Sequence, residues 1–78
     1  MRRYTIKLHP DAKQGGYWVT VPALPGCYSQ GDTLEEAIRN AREAIEGHIT
    51  CLREAGEPVP EEPEEGEHAQ ALVIDVAA

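Results

Sequence analysis

The chain contains no phenylalanine, one tryptophan and three tyrosines among its 78 residues. A core almost without large rings has to be filled by Ile, Val, Leu and Ala, with Trp18 the largest single side chain. Cysteine is scarce too. Cys27 and Cys51 are too few for a disulfide scaffold, and both read as reduced, packed thiols. No run approaches the roughly 18 apolar residues that a membrane span needs. The first ten residues, MRRYTIKLHP, carry two arginines but no following apolar stretch, so they do not form a secretory signal. A cytoplasmic chain with no membrane partner is therefore the default expectation. Positive charge is also short: 7 Lys and Arg stand against 14 Asp and Glu, for a net charge of −7. That balance argues against nonspecific nucleic-acid binding, which needs a basic face.

What is present suffices for one small domain. Apolar residues make up 41% of the chain, which is not a disordered composition. A chain of this length buries only about 60–65% of its unfolded surface, and association is a common remedy for so thin a core. The acidity is local. Glu57, Glu61, Glu62, Glu64, Glu65 and Glu67 lie between Gly56 and His68. Without those six, eight acids face seven bases and the remainder is nearly neutral. The acidic stretch reads first as a solubilising loop; it can also attract a basic partner.

From Arg3 to Leu8 the residues alternate, with Tyr4, Ile6 and Leu8 on one side and Arg3, Thr5 and Lys7 on the other, the pattern of a half-buried strand. His9 to Gly16 contains Pro10, Asp11, Gly15 and Gly16, which is turn chemistry. Tyr17 to Val21 is β-branched and aromatic, a second strand paired with the first. Pro22 ends it, because proline cannot donate to a ladder. Leu24, Pro25 and Gly26 suit a type II turn, in which proline fixes φ and glycine takes φ > 0. Cys27 to Gln30 forms a short third strand closed by Gly31.

The clearest local signal follows. Thr33-Leu34-Glu35-Glu36 is a capping box, with the threonine hydroxyl bonding the Glu36 amide and the glutamate reaching back to the Thr33 amide. Asp32, Glu35 and Glu36 complement the helix dipole. The helix is expected to run to about Ala55, with Gly56 at its C-terminal end and Pro58 beyond. Leu34, Ala37, Ile38, Ala41, Ala44, Ile45, Ile49 and Leu52 form its apolar stripe. Glu35–Arg39, Arg39–Glu43 and Arg42–Glu46 are i,i+4 pairs on the opposite side. Gly47 costs roughly 1 kcal/mol against alanine, for close packing or for a slight bend. Glu57 to Gln70 has no repeating apolar face, and a connection of that length is either mobile or functional. Ala71 to Ala78, with its LVIDV run, closes the chain as a fourth strand.

The expected fold is therefore α+β, a two-layer β-β-β-α-β arrangement in which a single long amphipathic helix covers one face of an antiparallel-type sheet. The other face carries Trp18, Thr20 and Val73, more apolar than a free surface. The helix, roughly 33 Å long at 1.5 Å per residue, overhangs the short strands. Both features predict burial against another chain, and hence a homo-oligomer, dimer or tetramer.

Catalytic constellations are missing. Cysteine–histidine chemistry needs a low-pKa thiolate beside its base, and no spacing brings Cys27 to a histidine. His48 and Cys51 share a helix face but are only a fragment of a zinc site. Metal-dependent nucleases need converging carboxylates; the first two strands hold none, and Asp75 is the sole strand acid. PALPG is no phosphate loop. The chain reads as a non-enzyme with no metal and no cofactor; residual nuclease activity through Asp75 or Asp32 is the disfavoured reading.

The ordered series P-x-L-P-G-C, GDT-x-EEA and NA-x-EA resembles the HicB family of small bacterial and archaeal antitoxins over most of the N-terminal two-thirds. The resemblance implies a partial RNase H-like fold without catalytic carboxylates. It also implies a role in binding and blocking HicA, a small basic mRNA-cleaving toxin. Many members add a C-terminal DNA-binding domain; these 78 residues end just after the fourth strand, so no direct DNA binding is expected. The family often has an acid where Ala23 stands. The alternative is a stand-alone oligomeric binding or structural module with no cognate toxin. The shape-building motif comprises Pro22, Leu24, Pro25, Gly26, Gly31, Asp32, Thr33 and Glu36. The candidate interface comprises Trp18, Thr20, Val73, Glu61, Glu62, Glu64 and Glu65.

Overall fold

In the computed structural model of the chain, residues 2–61 and 71–76 are described. β1 spans Arg2–Pro10, β2 Tyr17–Thr20, β3 Tyr28–Gly31, α1 Leu34–Glu54 and β4 Ala71–Val76. The strands form one antiparallel sheet in the order β3-β2-β1-β4. The last strand thus returns to the first, pairing Ile74 with Tyr4 and Leu72 with Ile6. The architecture is α+β, an open four-stranded sheet and one helix in the sequence β-β-β-α-β.

Alternation decides the faces. Tyr4, Ile6, Leu8, Val19, Ile74 and Val76 are buried between sheet and helix. From α1 they meet Ala37, Ala41, Ile45 and Ile49, which recur at helical spacing and are also buried. Burying each larger aliphatic side chain contributes about 1.5–3 kcal/mol. The two alanines bring the helix close to the sheet at its N-terminal end. A Cβ added at Gly31 would stand 2.7 Å from the Cα of Ala37 and 2.8 Å from the carbonyl carbon of Glu36. The end of β3 and the first turn of α1 therefore meet backbone to backbone.

The corners are as closely determined. The Leu24 amide donates to the Val21 carbonyl at 3.0 Å, and the Cys27 amide to the Leu24 carbonyl at 3.0 Å. Gly26 has φ +87°, the value a type II turn needs after proline. Leu24 and Cys27 are buried, so this corner tucks into the core. At the helix start the Glu36 amide donates to Thr33 Oγ1 at 3.1 Å. At the other end the Glu57 amide donates to the Leu52 carbonyl and the Gly56 amide to the Arg53 carbonyl, with Gly56 at φ +75°. That is a Schellman ending.

Several expectations need correction. β1 continues through His9 and Pro10, which pair with Trp18 and Tyr17; proline at the end of a strand costs little. β3 starts one residue later than expected, at Tyr28, because Cys27 belongs to the preceding turn. Glu36 Oε1 accepts from the Asp32 amide at 2.8 Å, one residue before the expected Thr33. Leu34 is exposed, since it stands at the first helical position beyond the edge of the core. A Cβ at Gly47 would meet open space, so no close approach requires glycine there. Neither Glu35–Arg39 nor Arg39–Glu43 forms an ion pair among the described residues.

The segment after the helix is partly secured. Val59 packs on the core, and the Tyr4 hydroxyl donates to the Pro60 carbonyl at 2.6 Å.

Candidate functional site

The face of the sheet turned away from α1 is built by the residues that alternate with the core. Arg3, Thr5, Lys7 and His9 come from β1, Trp18 and Thr20 from β2, Tyr28 and Gln30 from β3, Val73 and Asp75 from β4. Trp18 is 45% exposed, Tyr28 67% and Val73 59%. Trp18 and Tyr28 belong to the types that dominate binding energy at interfaces.

Trp18 is held in place. The His9 ring stacks on it with centroids 3.9 Å apart and planes 18° from parallel. His9 Nε2 lies 3.1 Å from Thr20 Oγ1, which fixes the imidazole in turn. An exposed aromatic held on one side loses little rotamer freedom when something binds its other side. This face also carries the charged residues Arg3, Lys7 and Asp75. Arg3 Nε and Asp75 Oδ1 form an ion pair at 3.2 Å with both side chains exposed, which contributes little to stability.

The expected interface residues are only partly brought together. Trp18 and Thr20 are neighbours, reached through His9 and Lys7 on β1. Val73 pairs with Thr5, four residues along β1 from His9, which is roughly 13 Å at strand rise. It shares the face but not the cluster. Glu61 is exposed at the end of the described segment. Glu62, Glu64 and Glu65 lie outside the described residues. His9 and Tyr28 belong to the site although the sequence reading passed over both. Continuing the alternation of β1 past Leu8 would have placed His9 on the outer face beside Trp18. Proline at position 10 hid that signal.

The motif residues shape the frame instead. Pro22, Leu24, Pro25 and Gly26 form the corner, whose Leu24 is buried while Pro25 and Gly26 stay exposed, and Gly31, Asp32, Thr33 and Glu36 join β3 to α1. Cys27 is buried, and burial pushes its thiol pKa up, the opposite of what a nucleophile needs. Cys51 is exposed on the helix. Among the described residues no three His, Cys, Asp or Glu side chains could hold a metal ion, and no helix is long and apolar enough to cross a membrane.

This geometry has close counterparts. A UPF0150 protein of Synechocystis is 51% identical over 59 residues, covering 76% of this chain and 73% of its own length. The N-terminal domain of the Burkholderia pseudomallei antitoxin HicB superposes with a TM-score of 0.73 at 32% identity, covering 97% of this chain and 99% of that one. A chain in a solved HicA3 and HicB3 toxin-antitoxin complex superposes with a TM-score of 0.68 at 30% identity, covering 81% of this chain and 71% of that one. The sequence model of the HicB-like antitoxin of bacterial toxin-antitoxin systems matches residues 4–72. Sequence pattern, strand order and these likenesses agree, and the chain belongs to the HicB-like antitoxin family.

Proposed function

We propose that this protein neutralises a small basic mRNA-cleaving toxin of the HicA type by binding it and covering its active site, with no catalysis of its own. The observation that carries this reading is the likeness to a chain of a HicA3 and HicB3 complex over 81% of the present chain. The chain acts as one HicB-like domain in the cytoplasm. Its contact surface is the outer sheet face around Trp18 and Thr20, reaching toward Val73, with the acidic residues Glu61, Glu62, Glu64 and Glu65 drawing in a basic partner. The net charge of −7 supports that attraction.

Co-expression with a small basic protein encoded beside this one tests the proposal. A stable complex and protection of RNA from cleavage are expected. If the two proteins neither co-purify nor protect RNA, the proposal fails.

A second reading rests on the exposed apolar side chains Trp18, Tyr28 and Val73 on so small a chain. In it the same face joins copies of this chain in a module without a toxin.

A further inference from the structure

The open sheet has two edges, β3 and β4, and its hydrogen bonding fixes which backbone groups each presents. The Asp11 amide donates to the Gly16 carbonyl across the β1–β2 hairpin at 3.0 Å. Antiparallel pairs alternate between bonded and non-bonded. The odd-numbered residues of β1 therefore bond β2, and the even-numbered ones bond β4. On β4 it is then Leu72, Ile74 and Val76 that bond β1, and Ala71, Val73 and Asp75 turn their amides and carbonyls outward. The same alternation turns Tyr28 and Gln30 outward on β3.

The two edges differ. On β3 the helix closes the edge with two side chains one turn apart. Asn40 Nδ2 donates to the Gln30 carbonyl at 2.8 Å, and Glu36 Oε1 accepts from the Asp32 amide at 2.8 Å. On β4 one contact among the described residues reaches the edge, from Arg42 Nε to the Asp75 carbonyl at 3.0 Å, and that oxygen keeps a second lone pair. No described residue meets the outward amide and carbonyl of Val73. The strand, ALVIDV, carries no lysine, no proline and no bulge, the usual means of blunting an edge. Its exposed apolar side chains point both ways. Val73 lies on the outer face, 59% exposed, and Leu72 on the helix side, 39% exposed. A ligand lying on one face would cover only one of them, whereas a strand laid along the edge flanks both.

Charge selects the partner and its register. Set a second copy of β4 antiparallel to the first about a two-fold axis at Val73. Val73 then faces Val73, Leu72 faces Ile74, and Asp75 faces Ala71. Ala71 stands beside Lys7 in the sheet, and no described carboxylate pairs with Lys7 within its own chain. Asp75 of one copy and Lys7 of the other share the outer face two strand spacings apart, about 10 Å at Cα, a gap that a lysine and an aspartate bridge. Asp75 also pairs with Arg3 of its own chain at 3.2 Å, so each carboxylate sits between two cations. An axis at Asp75 would instead set two carboxylates opposite each other, which is destabilising.

We propose that β4 is an association edge, on which a second copy of this chain pairs strand to strand and joins two four-stranded sheets into one of eight strands. The inference does not depend on the antitoxin reading, because the edge and the outer face are separate surfaces. Val73→Pro removes an outward amide and leaves the bonds to β1 intact, as an edge strand tolerates. Sedimentation over a concentration series reads the mass. The native chain is expected as a dimer at micromolar concentration. Val73→Pro should raise the midpoint concentration about tenfold or more, since two hydrogen bonds across the axis are lost. Val73→Lys, at an exposed position, is the second variant should circular dichroism show that proline disturbs folding. Val73→Cys in a Cys51→Ser chain reads the geometry. Bonded antiparallel partners have Cα atoms about 5.5 Å apart, within disulfide reach. Mild oxidation should therefore join two copies through Val73→Cys, and not through Tyr28→Cys on the closed edge. A native chain that stays monomeric overturns the proposal. So does a dimer that both edge variants leave unchanged, or crosslinking through Tyr28→Cys as strong as through Val73→Cys. A dimer lost on Trp18→Ala but kept in both edge variants overturns the edge and assigns the association to the outer face.

Discussion

Two glycines in this chain have opposite meanings, and a one-carbon change separates them. At Gly31 a methyl group would press on the backbone of Glu36 and Ala37, neither of which can swing aside. Gly31→Ala should destabilise by about 1–3 kcal/mol, the usual cost of overpacking, and urea unfolding will report it. At Gly47 the same methyl would enter open space within a regular helix. Gly47→Ala should stabilise by up to about 1 kcal/mol, seen as a higher melting temperature. Cys27 and Cys51 form a second contrasting pair. A thiol reagent should label Cys51 in the native protein and Cys27 only on unfolding, because one is exposed and the other buried. The raised pKa of Cys27 also fixes the sign of a pH effect. Burial favours the neutral thiol, so its contribution is fully present below the unfolded thiol pKa, about 8.5. It is lost as pH rises above that toward the folded value. A denaturation series in alkaline buffer checks this, and Cys27→Ala should flatten it.

At the scale of elements, the sequence was legible wherever a rule is local. The capping box, the proline–glycine corner and the glycine at the helix end depend on contacts within a few residues, and each stands in the structure close to where the pattern put it. The helix stripe was readable for the same reason. Ile45→Asp should cost more than the about 2–5 kcal/mol of truncating that side chain, since a carboxylate would be left among apolar neighbours. Loss of the helical circular dichroism signal at ambient temperature is the expected result. Nonlocal facts were harder. Nothing in the sequence pattern alone says that β4 pairs with β1 or that Val73 stands away from Trp18. The role of Gly31 was hidden because its constraint comes from an approaching helix and not from its own φ. His9 was missed because the proline after it resembles the start of a turn.

For the whole molecule, the question is what covers the outer face. Its aromatic residues are exposed and one is fixed in place, on a chain of 78 residues in which the one helix among the described residues covers only the opposite side. We predict self-association into a dimer or tetramer at micromolar concentration, read as molar mass by light scattering. A clean monomer would remove the reading in which this face joins copies. It would leave the antitoxin reading intact, since a toxin could cover the face instead. Attraction of a basic partner should also weaken as salt is raised, because exposed charges more than about 8 Å apart are screened at physiological ionic strength.

The sheet order has a consequence for how the protein is made. β1 leaves the ribosome first, yet it lies inside the sheet, with β2 on one side and β4 on the other. The hairpin of β1 and β2 can close while synthesis continues. The second side of β1 must wait for Ala71–Val76. Until then the amide and carbonyl groups along Arg2–Lys7 that later bond β4 have no strand partner, and an unpaired edge invites pairing with other chains. Closure of the sheet is thus a late event spanning nearly the whole chain. A nascent protein interrupted before β4 would carry the exposed Trp18 face on a sheet whose β1 edge is still open.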